Sequence, residues 1–105
     1  MDKRKYLIKS LRKFKVNLNK IVSIKKMIFF GSIAYGKPHK WSDIDLIIVS
    51  QKFKNKKFRY RPIGFYKYWK LDYPVDFLCY TPDEFNKLKK QITIVKEASN
   101  KGIEI

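Results

Sequence analysis

Two apolar runs, each punctuated by polar residues at one end, constrain this chain more than any other feature. Met27-Ile28-Phe29-Phe30 stops at Gly31-Ser32, and Leu46-Ile47-Ile48-Val49 follows Asp43-Ile44-Asp45. Short apolar runs bounded by turn residues are the pattern of strands buried on both faces. The polar residues therefore fall at the mouths of two buried strands. Asp43 and Asp45 are two apart, which on a strand points both carboxylates the same way, with Cα atoms ~6.5–7 Å apart. Like charges so placed at the edge of an apolar sheet repel each other and resist desolvation. A divalent cation relieves both penalties, and hard oxygen ligands suit Mg²⁺. Gly31 permits a tight turn after the strand, and Ser32 is placed to cap a short helix whose free N–H groups face an anion. Metal on one arm and phosphate on the other point to nucleotide chemistry.

The same residues predict the direction of the sheet. Gly31-Ser32 ends the first strand, while Asp43 and Asp45 open the second, so the two sets converge only if those strands are antiparallel. A third carboxylate, Asp76, opens a third apolar run, Val75-Asp76-Phe77-Leu78-Cys79. It joins the others only if strand three runs parallel to strand two. Parallel neighbours need a crossover of about a dozen or more residues, and the stretch from Gln51 to Pro74 supplies one. The expected fold is a small mixed α+β sheet of three main strands in order 1-2-3, flanked by N- and C-terminal helices. Asp72 competes with Asp76 for the third acidic position. It precedes Tyr73-Pro74 and reads as a turn residue, whereas Asp76 is a charge within a strand, so Asp76 is chosen.

Gly31-Ser32, then Asp43-x-Asp45, then a later strand carrying Asp76, resembles the minimal nucleotidyltransferases of the DNA polymerase beta-like superfamily. The resemblance runs from about Ile21 to the C-terminal end. It implies transfer of a nucleoside monophosphate from ATP or another nucleoside triphosphate to an acceptor hydroxyl. In that scheme Asp43 and Asp45 hold two Mg²⁺ ions, and Asp76 shares the ion nearest the acceptor and receives or orients the hydroxyl proton. Gly31 and Ser32 hold phosphates. Relatives commonly carry an arginine just after Gly-Ser, whereas this chain has Ile33-Ala34-Tyr35-Gly36. The phosphate contact of that arginine is then either absent or supplied by Lys37, Lys40 or a residue elsewhere. The resemblance extends to antitoxins that adenylylate a tyrosine of a small helical HEPN-type toxin, which makes such a toxin the expected partner. An RNA 3′ end or a small molecule is the alternative acceptor, and a module that neutralises its partner by contact alone is the non-enzymatic alternative.

With 105 residues the expectation is one domain, residues 1–105, around one modest core. No apolar stretch is long enough to span a membrane, and Met-Asp-Lys-Arg-Lys is no secretory leader. The single cysteine, Cys79, lies inside strand three and excludes a disulfide framework, so the expected setting is cytoplasmic. The formal net charge is +16, from 25 Lys and Arg against 9 Asp and Glu. A field of that sign attracts polyanions, though a generally lysine-rich proteome yields the same composition.

Along the chain, Leu7, Leu11, Phe14, Leu18 and Ile21 alternate at spacings of four and three, predicting an amphipathic helix from about Lys3 to Ile21. His39 lies alone between lysines, with no cluster to make it a metal ligand. Gln51 to Arg61 is basic with Phe53, Phe58 and Tyr60 interleaved, the composition of a single-strand nucleic-acid surface or of a loop leading into the crossover. One helix is expected from after Pro62 through Leu71, with more aromatic area than a small core uses. The excess reads as a face for a protein partner. Thr81-Pro82-Asp83-Glu84 is a capping box with proline at the first helical position. The helix it opens is expected to bury Phe85, Leu88, Ile92 and Val95, with a break near the β-branched Ile92–Val95 stretch, and to end at Gly102.

Overall fold

The computed structural model describes residues 3–36 and 42–105. Helix α1 (Lys3–Leu18) leads into strand β1 (Lys26–Phe30), the single-turn helix α2 (Gly31–Ala34) and strand β2 (Ile44–Val49). The crossover follows as three 3-10 turns, Gln51–Phe53, Phe58–Tyr60 and Phe65–Tyr68. Strand β3 (Val75–Tyr80), helices α3 (Pro82–Leu88) and α4 (Ile94–Lys101) and strand β4 (Ile103–Glu104) complete the chain.

The sheet order is β3-β2-β1-β4. β1 and β2 are antiparallel and β2 and β3 parallel, as the placement of the polar residues requires. The expected three strands gain a fourth: β4 pairs antiparallel with β1, Ile28 opposite Glu104 and Phe29 opposite Ile103. Two residues carry too little pattern to register as a strand, and only the neighbouring edge of β1 makes one of them.

The alternation of side chains along each strand divides the core in two. On one face, Leu7, Leu11, Phe14 and Leu18 of α1 pack against Met27, Phe29, Leu46, Ile48, Phe77 and Cys79. On the other, Phe85, Val95 and Ala98 of α3 and α4 cover Ile28, Phe30, Ile47 and Val49. The helix stripe is thus as predicted up to Leu18. The helix stops there, leaving Ile21 exposed while Val22 turns inward. Burial pushes the Cys79 thiol up to about 12, which fits an inert core residue.

The capping box forms in full: Glu84 donates its amide to Thr81 Oγ1 at 3.2 Å, and the Thr81 amide donates to Glu84 Oε1 at 2.8 Å. The predicted break after α3 is real. Thr93 caps a separate α4 by accepting the Lys96 amide, and Ile92, expected to be buried, lies fully exposed in the link.

The predicted crossover helix does not form. Gly64 sits at φ +92°, a left-handed conformation that a right-handed helix cannot pass through. Arg61 organises the turns instead. It donates to the carbonyls of Lys56 and Cys79 and forms a two-point ion pair with Glu84. Phe77 secures the other end of the crossover, meeting Phe65, Tyr66 and Trp69 at ring distances of 5.6, 5.1 and 6.0 Å. No helix among the described residues is long and apolar enough to cross a membrane.

Candidate active site

The register of the sheet builds the site. β1 ends at Phe30, which stands opposite Asp45 on β2, and Asp45 stands opposite Asp76 on β3. Directly paired residues project from the same face, so Asp45 and Asp76 rise side by side from the face that α3 and α4 cover further along. Asp72 lies outside β3, exposed beside α1. Asp76 is therefore the carboxylate that the sheet sets against Asp45.

Asp43 precedes β2, so the loop rather than the pleat of the strand sets its direction. Its charge still reaches Asp45. The Asp45 carboxyl is pushed up to about 6, first by burial, then by Asp76, then by Asp43. A half-buried acid facing two others is a site with surplus negative charge, and this donor set suits a hard divalent cation. Among the described residues, no three His, Cys, Asp or Glu side chains converge closely enough to ligate an ion where they stand.

Gly31 fits against the same carboxylate. Its φ is +88°, and a β-carbon there would collide with Asp45 Oδ2 and lie 3.1 Å from Asp45 Cγ. Ser32 does not cap α2. Phe30 is the N-cap residue and no side chain bonds there. Ser32 falls within the helix, and its hydroxyl donates to Ser42 Oγ at 3.1 Å, tying α2 to the residue before Asp43. Lys37 and Lys40, the lysine candidates for phosphate contact, lie outside the described residues, as do His39 and Trp41.

Two residues at the site were not foreseen. Arg4 on α1 reaches α2, donating from Nη1 to the Ala34 carbonyl at 3.2 Å. It reads in the sequence as one of the basic residues away from the α1 stripe, with nothing to single it out. Tyr35 follows α2, and its hydroxyl is buried without a hydrogen-bond partner among the described residues. Burial raises its phenol above the usual range, the Gly31 backbone opposes that rise, and the charges of Glu97 and Asp45 add to it.

No curated protein matches the chain. Among solved structures, a candidate nucleotidyltransferase from Sulfolobus solfataricus shares the fold, with a TM-score of 0.63 and 19% identity. The match covers 80% of this chain and 75% of that one. A family model described as a nucleotidyltransferase domain matches residues 8–100. That family generally uses a nucleoside triphosphate and a divalent metal. The match spans the acidic row, the Gly31 turn and both helical layers, and the chain belongs to the nucleotidyltransferase domain family.

Proposed function

We propose that this chain, as one domain, is a Mg²⁺-dependent nucleotidyltransferase that moves AMP from ATP to an acceptor hydroxyl. The favoured acceptor is a tyrosine of a small helical HEPN-type partner, which the transfer would silence. The observation that carries the enzymatic reading is the pairing of Asp45 with Asp76, with Gly31 fitted against the Asp45 carboxylate. Asp45 is half-buried beside another acid, a desolvation cost that a sheet with no use for charge there would avoid.

In this reading Asp43, Asp45 and Asp76 hold the metal, which would neutralise charge on the reacting phosphates. Asp76, the most exposed of the three, takes the proton from the acceptor hydroxyl. The acceptor oxygen bonds to the α-phosphorus, the bond to the bridging oxygen breaks, and pyrophosphate leaves. Gly31 and Ser32 contact the outgoing phosphates, and Lys37 and Lys40 add positive charge. Arg4 places a guanidinium at α2 and stands in for the arginine that the segment after Gly31-Ser32 lacks. Exposed Phe58, Tyr60, Ile63 and Tyr66 offer the partner an apolar surface.

The test is transfer of label from α-labelled ATP with Mg²⁺, using the protein alone, with its co-purified neighbour and with RNA. An Asp43→Asn/Asp45→Asn variant is the control. Label on a partner tyrosine that disappears in the control is the expected result. Label on RNA alone would replace the partner reading, and no label on any acceptor would overturn the transfer reading.

A further inference from the structure

On the α1 face of the sheet, opposite the face from which Asp45 and Asp76 project, α1 and the segment from Tyr68 to Tyr73 enclose a groove of about 540 Å³. That volume lies within the range of small-ligand sites. We propose that this groove holds one nucleotide unit of a single-stranded nucleic acid, with the flanking strand running over the basic surface of α1.

The lining has the required chemistry. Phe14 forms an apolar base and is held in place by Trp69 at 5.1 Å, edge to face, and Phe77 at 5.8 Å, stacked. Tyr6, Tyr68 and Tyr73 bring three more rings to the walls. Tyr6 is 63% exposed, an aromatic ring that the core does not use. Lys13 and Lys70 stand at the rim, and neither forms an ion pair with a described residue. Rings at the wall on which a base can stack, beside cations that neutralise its phosphates, are the elements of single-strand recognition.

Charge selects the occupant. The α1 wall comes from a segment that is basic throughout, residues 3–18 containing seven Lys or Arg and no acid, and Lys70 adds a cation from the facing wall. Asp72 is the one acid in the lining. A free nucleotide would engage the two rim lysines and leave the rest of this field unused. An acidic peptide would use the field but leave the rings idle. A strand uses both, and its repeated phosphates match cations that continue along α1 beyond the groove, at exposed Lys5, Lys9 and Arg12.

The test is fluorescence anisotropy with labelled 12-nucleotide oligouridine and oligothymidine, with EDTA present and no nucleoside triphosphate. Under those conditions failure of the transfer reading has no bearing on the outcome. Wild type is expected to bind with a strong salt dependence. Tyr6→Ala/Tyr68→Ala removes rings without changing charge, and is expected to weaken binding at least 10-fold. Lys13→Ala/Lys70→Ala is expected to flatten the slope of log affinity against log salt by about 1.4. Circular dichroism checks folding, and exposed Tyr6→Ala alone serves as the milder ring variant. A Lys96→Ala/Lys101→Ala variant on α4, on the other face, controls for general charge. Absence of binding overturns the proposal, as does binding that responds to the α4 variant but not to the ring variants. Full displacement by ATP would assign the groove to a free nucleotide. Polyglutamate binding that depends on the rings would assign it to a protein, and either result overturns the strand.

Discussion

The carboxylate of Asp45 occupies the space that a side chain on Gly31 would need. The contact joins the residue just after β1 to the second residue of β2 across an antiparallel pair, so the turn that opens α2 and the acid at the mouth of β2 are one packing unit. Gly31 adds a second demand, because at φ +88° an L side chain is strained even where there is room.

Gly31→Ala is accordingly expected to cost about 2–4 kcal/mol of stability, combining backbone strain and collision. Urea unfolding of the single variants and of Gly31→Ala/Asp45→Ala separates the two contributions. Removing the carboxylate should recover the collision and leave the strain, a coupling of about 1 kcal/mol or more. Strictly additive losses would place the Asp45 side chain elsewhere.

Asp45 carries a stability signature with an unusual sign. Its folded value is raised from 3.8 to about 6, so the native state binds this proton more tightly than the unfolded chain does. Its contribution therefore falls as pH rises through that window, the reverse of a salt-bridged carboxylate. Asp45→Asn is expected to raise the melting temperature by a few degrees at pH 7–8, and the advantage should shrink to nothing below about pH 4. Mg²⁺ should stabilise wild type more than this variant. A variant no more stable than wild type at pH 7–8 would mean the carboxylate is not desolvated.

Arg61 and Glu84 give the ordinary sign. The Glu84 carboxyl is held below its usual value, mainly by the Arg61 side chain, so its contribution is present at neutral pH and lost as acid brings pH down through the lowered value. Arg61 is only 7% exposed and also satisfies the carbonyls of Lys56 and Cys79. Arg61→Ala is expected to cost about 3 kcal/mol and to blunt the acid sensitivity together with it. Arg61→Lys should not restore the loss, since one ammonium cannot reproduce the planar fork that meets both carboxylate oxygens. Full rescue by lysine would reduce the role of Arg61 to charge.

Most of the sheet was legible because buried strands write long apolar runs, and a charge inside such a run, as at Asp45 or Asp76, has few structural excuses. The directions of β1, β2 and β3 followed from asking where those charges could meet. What was illegible depended on tertiary partners. Ile103–Glu104 becomes a strand only against β1. The aromatic crossover resembles a helix until Gly64 turns left-handed. Ile92 matches the stripe of α3 yet lies in the link that separates two helices. Arg4 reads in the sequence as one of the basic residues away from the α1 stripe, and its contact with α2 depends on how that helix crosses the sheet.

The buried Tyr35 hydroxyl gives the last prediction. A hydroxyl withdrawn from water without a partner costs the folded state about 1–3 kcal/mol, and removing it while keeping the ring should return part of that. Tyr35→Phe is therefore expected to be as stable as wild type or more stable by about 1 kcal/mol, measured by urea unfolding in phosphate-free buffer with no metal. The ring itself packs against both core layers, so Tyr35→Ala should be strongly destabilising and serves as the contrast. A loss above about 1 kcal/mol in Tyr35→Phe would show that the hydroxyl bonds a group in solution, with the Gly31 backbone, which opposes the rise of this phenol, the first candidate.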